Sequence, residues 1–216
     1  MSADYHLTLL RHGESAGNAD NVYQGKLDYP LTDNGRLQAR LLGERWQAEG
    51  RSFTGIITSP LLRALETAEI IAQHVPAKIE LDSNWMERDF GKFSGLTAAQ
   101  ANERYPRPAY LGLYQPIADT GETQWELFLR AGRAIHDLLS CPPGSYLVVA
   151  HGGVLNMAMH AILGISPMAN FEGPYFHFRN TAFTTLSFTA SGHAWRLEGF
   201  NDYRHWEDYR RGNQAT

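Results

Sequence analysis

An arginine and a histidine stand side by side at Arg11 and His12, directly after the apolar run YHLTLL. Three more residues that could do chemistry follow other apolar runs: Arg63 in SPLLRALETA, Glu87 in WMERDF and His151 in VVAHGG. Two guanidinium groups suit a phosphate dianion, because each can hold two of its oxygens. A histidine can act as a nucleophile, and a glutamic acid can protonate a leaving oxygen. Together these residue types indicate transfer of a phosphoryl group to a histidine.

Short apolar segments alternate with longer amphipathic ones, which predicts strands that alternate with helices. The predicted strands cover residues 5–10, 53–59, 78–81 and 145–150, followed by a hairpin of 181–189 and 193–200. The predicted helices cover residues 31–50, 59–74, 97–105, 121–139 and 151–164. We therefore expect an α/β fold, a three-layer α/β/α sandwich with a mainly parallel central sheet.

The candidate residues share one position relative to these strands. Arg11 and His12 follow the first predicted strand, Arg63 the second, Glu87 the third and His151 the fourth. Ligands of open α/β sheets bind beyond the carboxyl ends of the strands. We expect one phosphate site at this edge, since the placement would otherwise need four independent coincidences.

Two helix starts are predicted from their capping residues. Ser59 is expected at an N-cap, with Pro60 at the first helical position, where its missing N–H is tolerated. Thr97, with Gln100 three residues later, forms a capping-box pattern.

The stretch from residue 83 to residue 121 is long, aromatic and rich in glycine and proline. No linker, internal repeat or low-complexity segment divides the chain. We interpret the chain as one domain over residues 1–216, with residues 83–121 as a cap-like excursion over the active site.

The composition is that of a globular protein: 43% of the 216 residues are hydrophobic and 19% are charged. A net charge of -4 gives no footprint for nucleic acid. Cys141 is the one cysteine of the sequence, so no disulfide can form within the chain. With no signal-peptide pattern and no apolar run long enough to span a membrane, we expect a cytoplasmic protein.

Other kinds of site are disfavoured by their missing motifs. Nine histidines invite a metal site, but His12 and His151 lack an obvious third ligand, and no H-x-x-x-H or C-x-x-C spacing occurs. The phosphate-binding G-x-x-x-x-G-K-[ST] and the G-x-S-x-G of α/β-hydrolases are also absent from the sequence. We expect neither a metal nor another cofactor.

Four blocks in order, LLRHGESAGN, SPLLRALETA, WMERDFGKFSGL and VVAHGG, resemble the histidine phosphatase superfamily, the phosphoglycerate-mutase-like proteins. This resemblance extends through nearly the whole chain and implies that fold. It implies that His12 becomes the phosphohistidine and that Glu87 is the acid and then the base. Arg11, Arg63 and His151 would hold the phosphoryl oxygens.

The same resemblance implies an outer set of substrate-binding residues. Its members flank the core motifs and are Ser15, Asn18, Gln24, Gly25, Arg88 and Gly152. Asn18 would contact phosphate, Gly152 could offer a backbone N–H, and Gln24 and Arg88 would touch the rest of the substrate. Glu122 matches a loop residue of the family without an assigned role.

Three functions remain open: a phosphatase, a cofactor-dependent phosphoglycerate mutase, and a non-catalytic protein that binds phosphate esters. We favour a phosphatase of a small phosphorylated metabolite, because the stretch from residue 95 to residue 121 is short and has only Arg104 and Arg107 as basic residues. YQG also looks like the phosphatase branch, whereas ERDFGKFSGL resembles the mutase motif. We expect no membrane or nucleic-acid partner, and a homodimer is possible.

Overall fold

A computed structural model describes residues 4–214. Six strands form one sheet in the order β3-β2-β4-β1-β5-β6. They are β1 (Asp4–Arg11), β2 (Gly55–Thr58), β3 (Ile79–Leu81), β4 (Ser145–Ala150), β5 (Phe183–Thr189) and β6 (Ala194–Asp202). The first four pair in parallel, while β5 and β6 form the predicted antiparallel hairpin, with β5 beside β1. The predicted α/β fold with a mainly parallel sheet is confirmed.

Within residues 4–214, seven α-helices accompany the strands. They are α1 (Ala16–Ala19), α2 (Asp33–Ala48), α3 (Leu62–Ala72), α4 (Ala98–Arg104), α5 (Gln124–Leu139), α6 (Gly152–Leu163) and α7 (Arg204–Gln214). None of the helices within residues 4–214 combines the length and the apolar character that a membrane crossing requires.

Two apolar cores lie on opposite faces of the sheet. Because side chains alternate along a strand, Leu9 and Val148 enter the core beneath α5 and α6, whereas Leu10 and Val149 enter the core beneath α2 and α3. The central strands are therefore buried on both faces, as their nearly continuous apolar sequences predict. The molecule has three layers, with helices on both sides of the sheet.

The predicted start of the second helix is wrong. The N–H of Ser59 bonds the carbonyl oxygen of Val149, so Ser59 still continues the strand pairing. The chain needs two more residues to turn, and α3 begins at Leu62 with Leu61 at the N-cap. The capping box of Thr97 and Gln100 is confirmed at the start of α4.

Residues 83–121 leave the sheet after β3 and return at α5. They carry α4 and a small apolar cluster of their own, in which Phe93, Ala101 and Ile117 are buried. Phe90 of this stretch lines the same cleft as His12.

Candidate active site

The pairing of β1 with β4 brings the two histidines together. Arg11 is the register partner of Ala150, and the N–H of His12 bonds the Ala150 carbonyl oxygen. His151 follows directly as the N-cap of α6. The ring centroids of His12 and His151 are consequently 5.0 Å apart.

A cleft of about 460 Å³ opens at this edge of the sheet. The residues that line it include most of the predicted site: Arg11, His12, Asn18, Gln24, Gly25, Arg63 and Glu87. Residues that lie far apart in the sequence therefore meet at the strand ends, as the sequence predicts.

The ring of His12 is held in its neutral form. Its Nδ1 lies 2.6 Å from the carbonyl oxygen of Gly13, which can only accept, so Nδ1 carries the proton. Burial lowers the pKa of His12 well below its ordinary 6.5, and the charges of Arg63 and Arg11 lower it further. Near neutral pH the other ring nitrogen, Nε2, therefore keeps a free lone pair.

Two guanidinium groups flank His12, that of the buried Arg63 and that of the half-buried Arg11. Arg63 is 1% exposed and donates from Nη1 to the carbonyl oxygen of Leu27 and from Nη2 to that of Gly25, both over 2.9 Å. Arg11 donates from Nη1 to the carbonyl oxygen of Phe178 over 2.7 Å. The Nε atoms of both arginines are buried, with no partner within the described chain.

The charge of these arginines survives burial. Desolvation lowers the pKa of Arg63 to about 10, with the nearby Glu87 opposing the shift. Arg63 thus stays protonated at neutral pH and keeps an unused donor for an anionic ligand. Because an unpaired buried donor is costly, a bound phosphate would relieve a penalty that the free protein carries.

His151 is completely buried and has a hydroxyl partner. Its Nε2 lies 2.8 Å from the Oγ of Ser59, and its Nδ1 has no partner among the residues described. Burial lowers the pKa of His151 well below 6.5, and Arg63 adds to the effect. When Ser59 donates to Nε2, the neutral ring carries its proton on Nδ1 and can donate it to a phosphoryl oxygen.

The carboxylate of Glu87 lies at the N-terminus of α6. Its Oε2 accepts from the N–H of Gly153 over 3.1 Å, and its Oε1 accepts from Val154 over 3.3 Å and from Arg88 over 2.7 Å. A Cβ at residue 153 would collide with this carboxylate, so Gly153 allows the close approach. The helix thereby places the carboxylate in the cleft.

Arg130 on α5 holds the segment that carries Glu87. Its Nη1 donates to the carbonyl oxygens of Asn84 and Met86, and its Nε and Nη2 form two bonds to the carboxylate of Glu122, at 2.8 and 2.7 Å. This gives Glu122 a structural place, as the partner of Arg130. The sequence does not single out Arg130, because it stands within an amphipathic helix and far from any strand end.

Asn18 lies at the mouth of the cleft in a network of side chains. Its Oδ1 is within 3.0 Å of the Ser15 Oγ and 3.1 Å of the Asn180 Nδ2, and that same Nδ2 donates to the carbonyl oxygen of His12. With Oδ1 so engaged, the amide NH₂ of Asn18 is the group that can donate to a phosphate. Asn180 precedes β5 and connects that part of the chain to the site. It belongs to no motif that the sequence would reveal.

The other residues of the predicted outer set differ in position. Ser15 is fully buried behind Asn18, where it caps α1 and lies 2.7 Å from the Oε1 of Gln24, and it does not line the cleft. Gly25 adopts φ +54, a conformation that favours glycine, and its carbonyl oxygen accepts a hydrogen bond from Nη2 of Arg63.

Arg88 and Gly152 also lie beside the cleft and not in its lining. Arg88 lines an adjacent pocket, donates from Nε and Nη2 to the carbonyl oxygen of Glu122, and has its guanidinium carbon 4.6 Å from the centroid of the Phe171 ring. Gly152 begins α6 next to Arg11, whose Nε would lie 3.8 Å from a Cβ at residue 152.

In the part of the chain that the structure describes, no three His, Cys, Asp or Glu side chains lie close enough to hold a metal ion. The positive groups around His12 are the two arginines. The arrangement can therefore bind a phosphate dianion, present it to a neutral imidazole nitrogen, and exchange a proton through a carboxyl group.

Comparisons with known proteins agree with this chemistry. Residues 7–203 match the family described as the histidine phosphatase superfamily (branch 1). The chain is 33% identical over 204 residues to a "Probable phosphoglycerate mutase GpmB" of Cronobacter sakazakii, covering 91% of this chain and 93% of that protein.

Two solved structures of phosphatases are also similar. The mycobacterial glucosyl-3-phosphoglycerate phosphatase, in complex with VO3, is 26% identical with a TM-score of 0.75, covering 91% of this chain and 98% of that one. The phosphoserine phosphatase of Entamoeba histolytica, in complex with 3-phosphoglyceric acid, is 26% identical with a TM-score of 0.74, covering 93% and 98%.

Proposed function

Because the chain belongs to the histidine phosphatase superfamily (branch 1), we propose that it is a metal-independent phosphatase that hydrolyses a small phosphomonoester through a phosphohistidine on His12. The observation that carries this proposal is the state of His12, which is buried and neutral. Its Nδ1 bonds the carbonyl oxygen of Gly13 and carries the ring proton, so Nε2 is unprotonated. Two arginines flank it, and each has a buried Nε without a partner among the described residues.

In the first step, the Nε2 lone pair of His12 attacks the phosphorus and a P–N bond forms. The P–O bond to the leaving alcohol breaks, and Glu87, in its carboxylic acid form, gives its proton to the leaving oxygen. Arg11, Arg63 and His151 hold the three remaining phosphoryl oxygens and stabilise the charge that is spread over them in the transition state.

In the second step, a water molecule enters where the alcohol has left. The carboxylate of Glu87 takes a proton from this water, whose oxygen attacks the phosphorus. The P–N bond breaks, neutral His12 is restored and inorganic phosphate is released. Glu87 thus serves as acid and then as base, and it ends the cycle in its starting form.

A second candidate function is a phosphoglycerate mutase, which the name of the Cronobacter sakazakii relative favours. A mutase must hold a second phosphate beyond the one on His12. Beyond the cleft, the adjacent pocket has two cationic side chains, Arg88 and the exposed Arg107, together with the acidic Glu172. This charge balance supports a phosphatase.

The proposed function predicts hydrolysis of p-nitrophenyl phosphate that persists in excess EDTA, because the arginines supply the positive charge at the site. Release of p-nitrophenol by the purified protein, with and without EDTA, measures this. Activity abolished by EDTA would contradict the proposal. A coupled assay with 3-phosphoglycerate and a trace of the bisphosphate tests the mutase alternative, and isomerisation faster than hydrolysis would favour it.

Replacement of Glu87 by glutamine is expected to slow hydrolysis most for poor leaving groups. For β-glycerophosphate we expect kcat/KM, which reports formation of the phosphohistidine and not its hydrolysis, to fall about 10²-fold or more, the range of a general acid. For p-nitrophenyl phosphate the loss should be smaller, because p-nitrophenolate leaves without a proton. The kcat/KM values of Glu87→Gln on both esters measure this, with Glu69→Gln, an exposed position on α3, as the control. An equal loss on both esters would show that Glu87 is not the acid.

A further inference from the structure

A second and larger pocket adjoins the cleft of His12. Tyr23 and Phe90 line both, so the two spaces share a wall. We call the larger space the side pocket. Its lining includes the buried polar residues Arg88, Gln124, Asn156 and His160.

Helix α6 connects the reacting end of the site with the side pocket. Its first turn bonds the carboxylate of Glu87 through Gly153 and Val154, and Asn156 and His160 follow on the same helix. With a rise of 1.5 Å per residue, Asn156 lies about 4.5 Å and His160 about 10 Å beyond Gly153 along the axis. A leaving group protonated by Glu87 therefore extends along α6, past Asn156 towards His160. This distance is about the length of two ring systems.

These polar groups have unused hydrogen-bonding capacity. The Oδ1 of Asn156 accepts from the N–H of Phe176 over 2.8 Å, which fixes the amide and leaves its NH₂ as the donor. The Nε2–H of His160 donates to the carbonyl oxygen of Pro174 over 2.8 Å, which leaves Nδ1 as an acceptor that has no partner within residues 4–214.

Gln124, the first residue of α5, adds a third such group. It is 6% exposed and lines the side pocket, and its side-chain amide has no hydrogen-bond partner in the described part of the chain. Buried polar groups are normally bonded, so the buried and unpartnered Nδ1 of His160, beside the free amide groups of Asn156 and Gln124, points to a ligand that bears both donors and acceptors.

The walls of the side pocket are apolar and aromatic, and they include Phe90, Leu127, Met157 and Phe171. Its one buried cation, Arg88, already donates to Glu122 and stacks on Phe171. Flat apolar surfaces with polar groups between them suit a ring that carries hydroxyl groups. A carboxylate would find the guanidinium of Arg88 already partly engaged.

We propose that the side pocket takes an uncharged, hydroxylated ring, a sugar or a nucleoside, as the leaving group of the ester, with Asn156, His160 and Gln124 as its hydrogen-bond partners. This inference rests on the proposed phosphatase function and specifies its substrate class. A three-carbon acid such as phosphoglycerate, bound with its phosphate at His12, is too short to reach His160 and leaves most of the pocket unfilled.

A panel of esters tests the substrate class. We expect kcat/KM at least tenfold higher for ribose 5-phosphate, glucose 1-phosphate or adenosine 5′-monophosphate than for 3-phosphoglycerate and O-phosphoserine. The ring ester with the highest kcat/KM shows whether the side pocket prefers a sugar or a nucleoside. Higher kcat/KM for either three-carbon ester, with p-nitrophenyl phosphate still hydrolysed, would overturn the substrate class alone. Failure to hydrolyse p-nitrophenyl phosphate would overturn the proposed function.

A variant of Gln124 tests the residue assignment. Gln124→Met keeps the volume, removes the amide and breaks no described side-chain hydrogen bond. We expect it to lower the ratio of kcat/KM for the best ring ester to kcat/KM for p-nitrophenyl phosphate at least fivefold, mainly through KM. Gln73→Met, at the exposed C-cap of α3, is the matched control and should leave this ratio unchanged. An unchanged ratio in a folded Gln124→Met protein would overturn the assignment.

Discussion

Replacement of His12 by alanine is expected to lower kcat by about 10⁴-fold or more, the range found when a catalytic nucleophile is removed. Nε2 of His12 is the ring nitrogen with a free lone pair, because Nδ1 is bonded to the carbonyl oxygen of Gly13. His151, with its rings 5.0 Å away, has Nε2 engaged by Ser59 and does not replace it. Binding of the ester by the two arginines should persist.

Steady-state hydrolysis of p-nitrophenyl phosphate measures this effect, and circular dichroism confirms that the variant is folded. The matched control is His136→Ala, at an exposed position in the last turn of α5. It removes the same side chain from the same protein and should leave kcat within twofold. A His12→Ala protein with a tenth of the original kcat would refute the nucleophile.

Replacement of Arg63 by lysine is expected to lower kcat/KM by about 10²–10³-fold, the loss typical for one preorganised donor at developing negative charge. The two Nη atoms of Arg63 donate to the carbonyl oxygens of Leu27 and Gly25, while its Nε stays unpaired. A lysine keeps the charge, but its single ammonium group cannot bond both carbonyl oxygens and a phosphate with the same geometry. The loop that carries Gln24 would lose part of its support.

Two quantities, kcat/KM and the inhibition constant of inorganic phosphate, test whether the geometry of the guanidinium group matters beyond its charge. The inhibition constant of inorganic phosphate should rise together with the fall in kcat/KM, because the same donor serves the ground state and the transition state. Arg133→Lys, at an exposed position on α5, is the control and should change neither quantity. An unchanged kcat/KM in Arg63→Lys would show that the positive charge alone suffices and that the geometry of the guanidinium group has no role.

The core of the site could be predicted because its members follow buried strands. Parallel strands end at one edge of a sheet, so Arg11, His12 and His151 are brought together by the pairing of β1 with β4. Arg63 and Glu87 follow β2 and β3 by the same logic. The fold could be predicted for the same reason, since the apolar runs and amphipathic segments alternate clearly.

The supporting residues could not be predicted, because their roles depend on distances between segments remote in sequence. Ser59 suggests a helix cap from its sequence, whereas in the fold it lies 2.8 Å from the Nε2 of His151. Arg130 and Asn180 reach the site from a helix and a loop that carry no motif. His160 follows no strand and belongs to no motif, yet it lines the side pocket. Cytoplasmic location, partners and oligomeric state stay predictions.

The central claim, a phosphohistidine on His12, is tested most directly by trapping the intermediate. Rapid quenching of the wild-type protein during turnover of p-nitrophenyl phosphate, followed by peptide mass spectrometry, should place one phosphoryl group on His12. This group should be stable in base, be lost in acid, and be absent from His12→Ala. A phosphoryl group on another residue, or hydrolysis at full rate with no group trapped on His12 at any quench time, would contradict the mechanism.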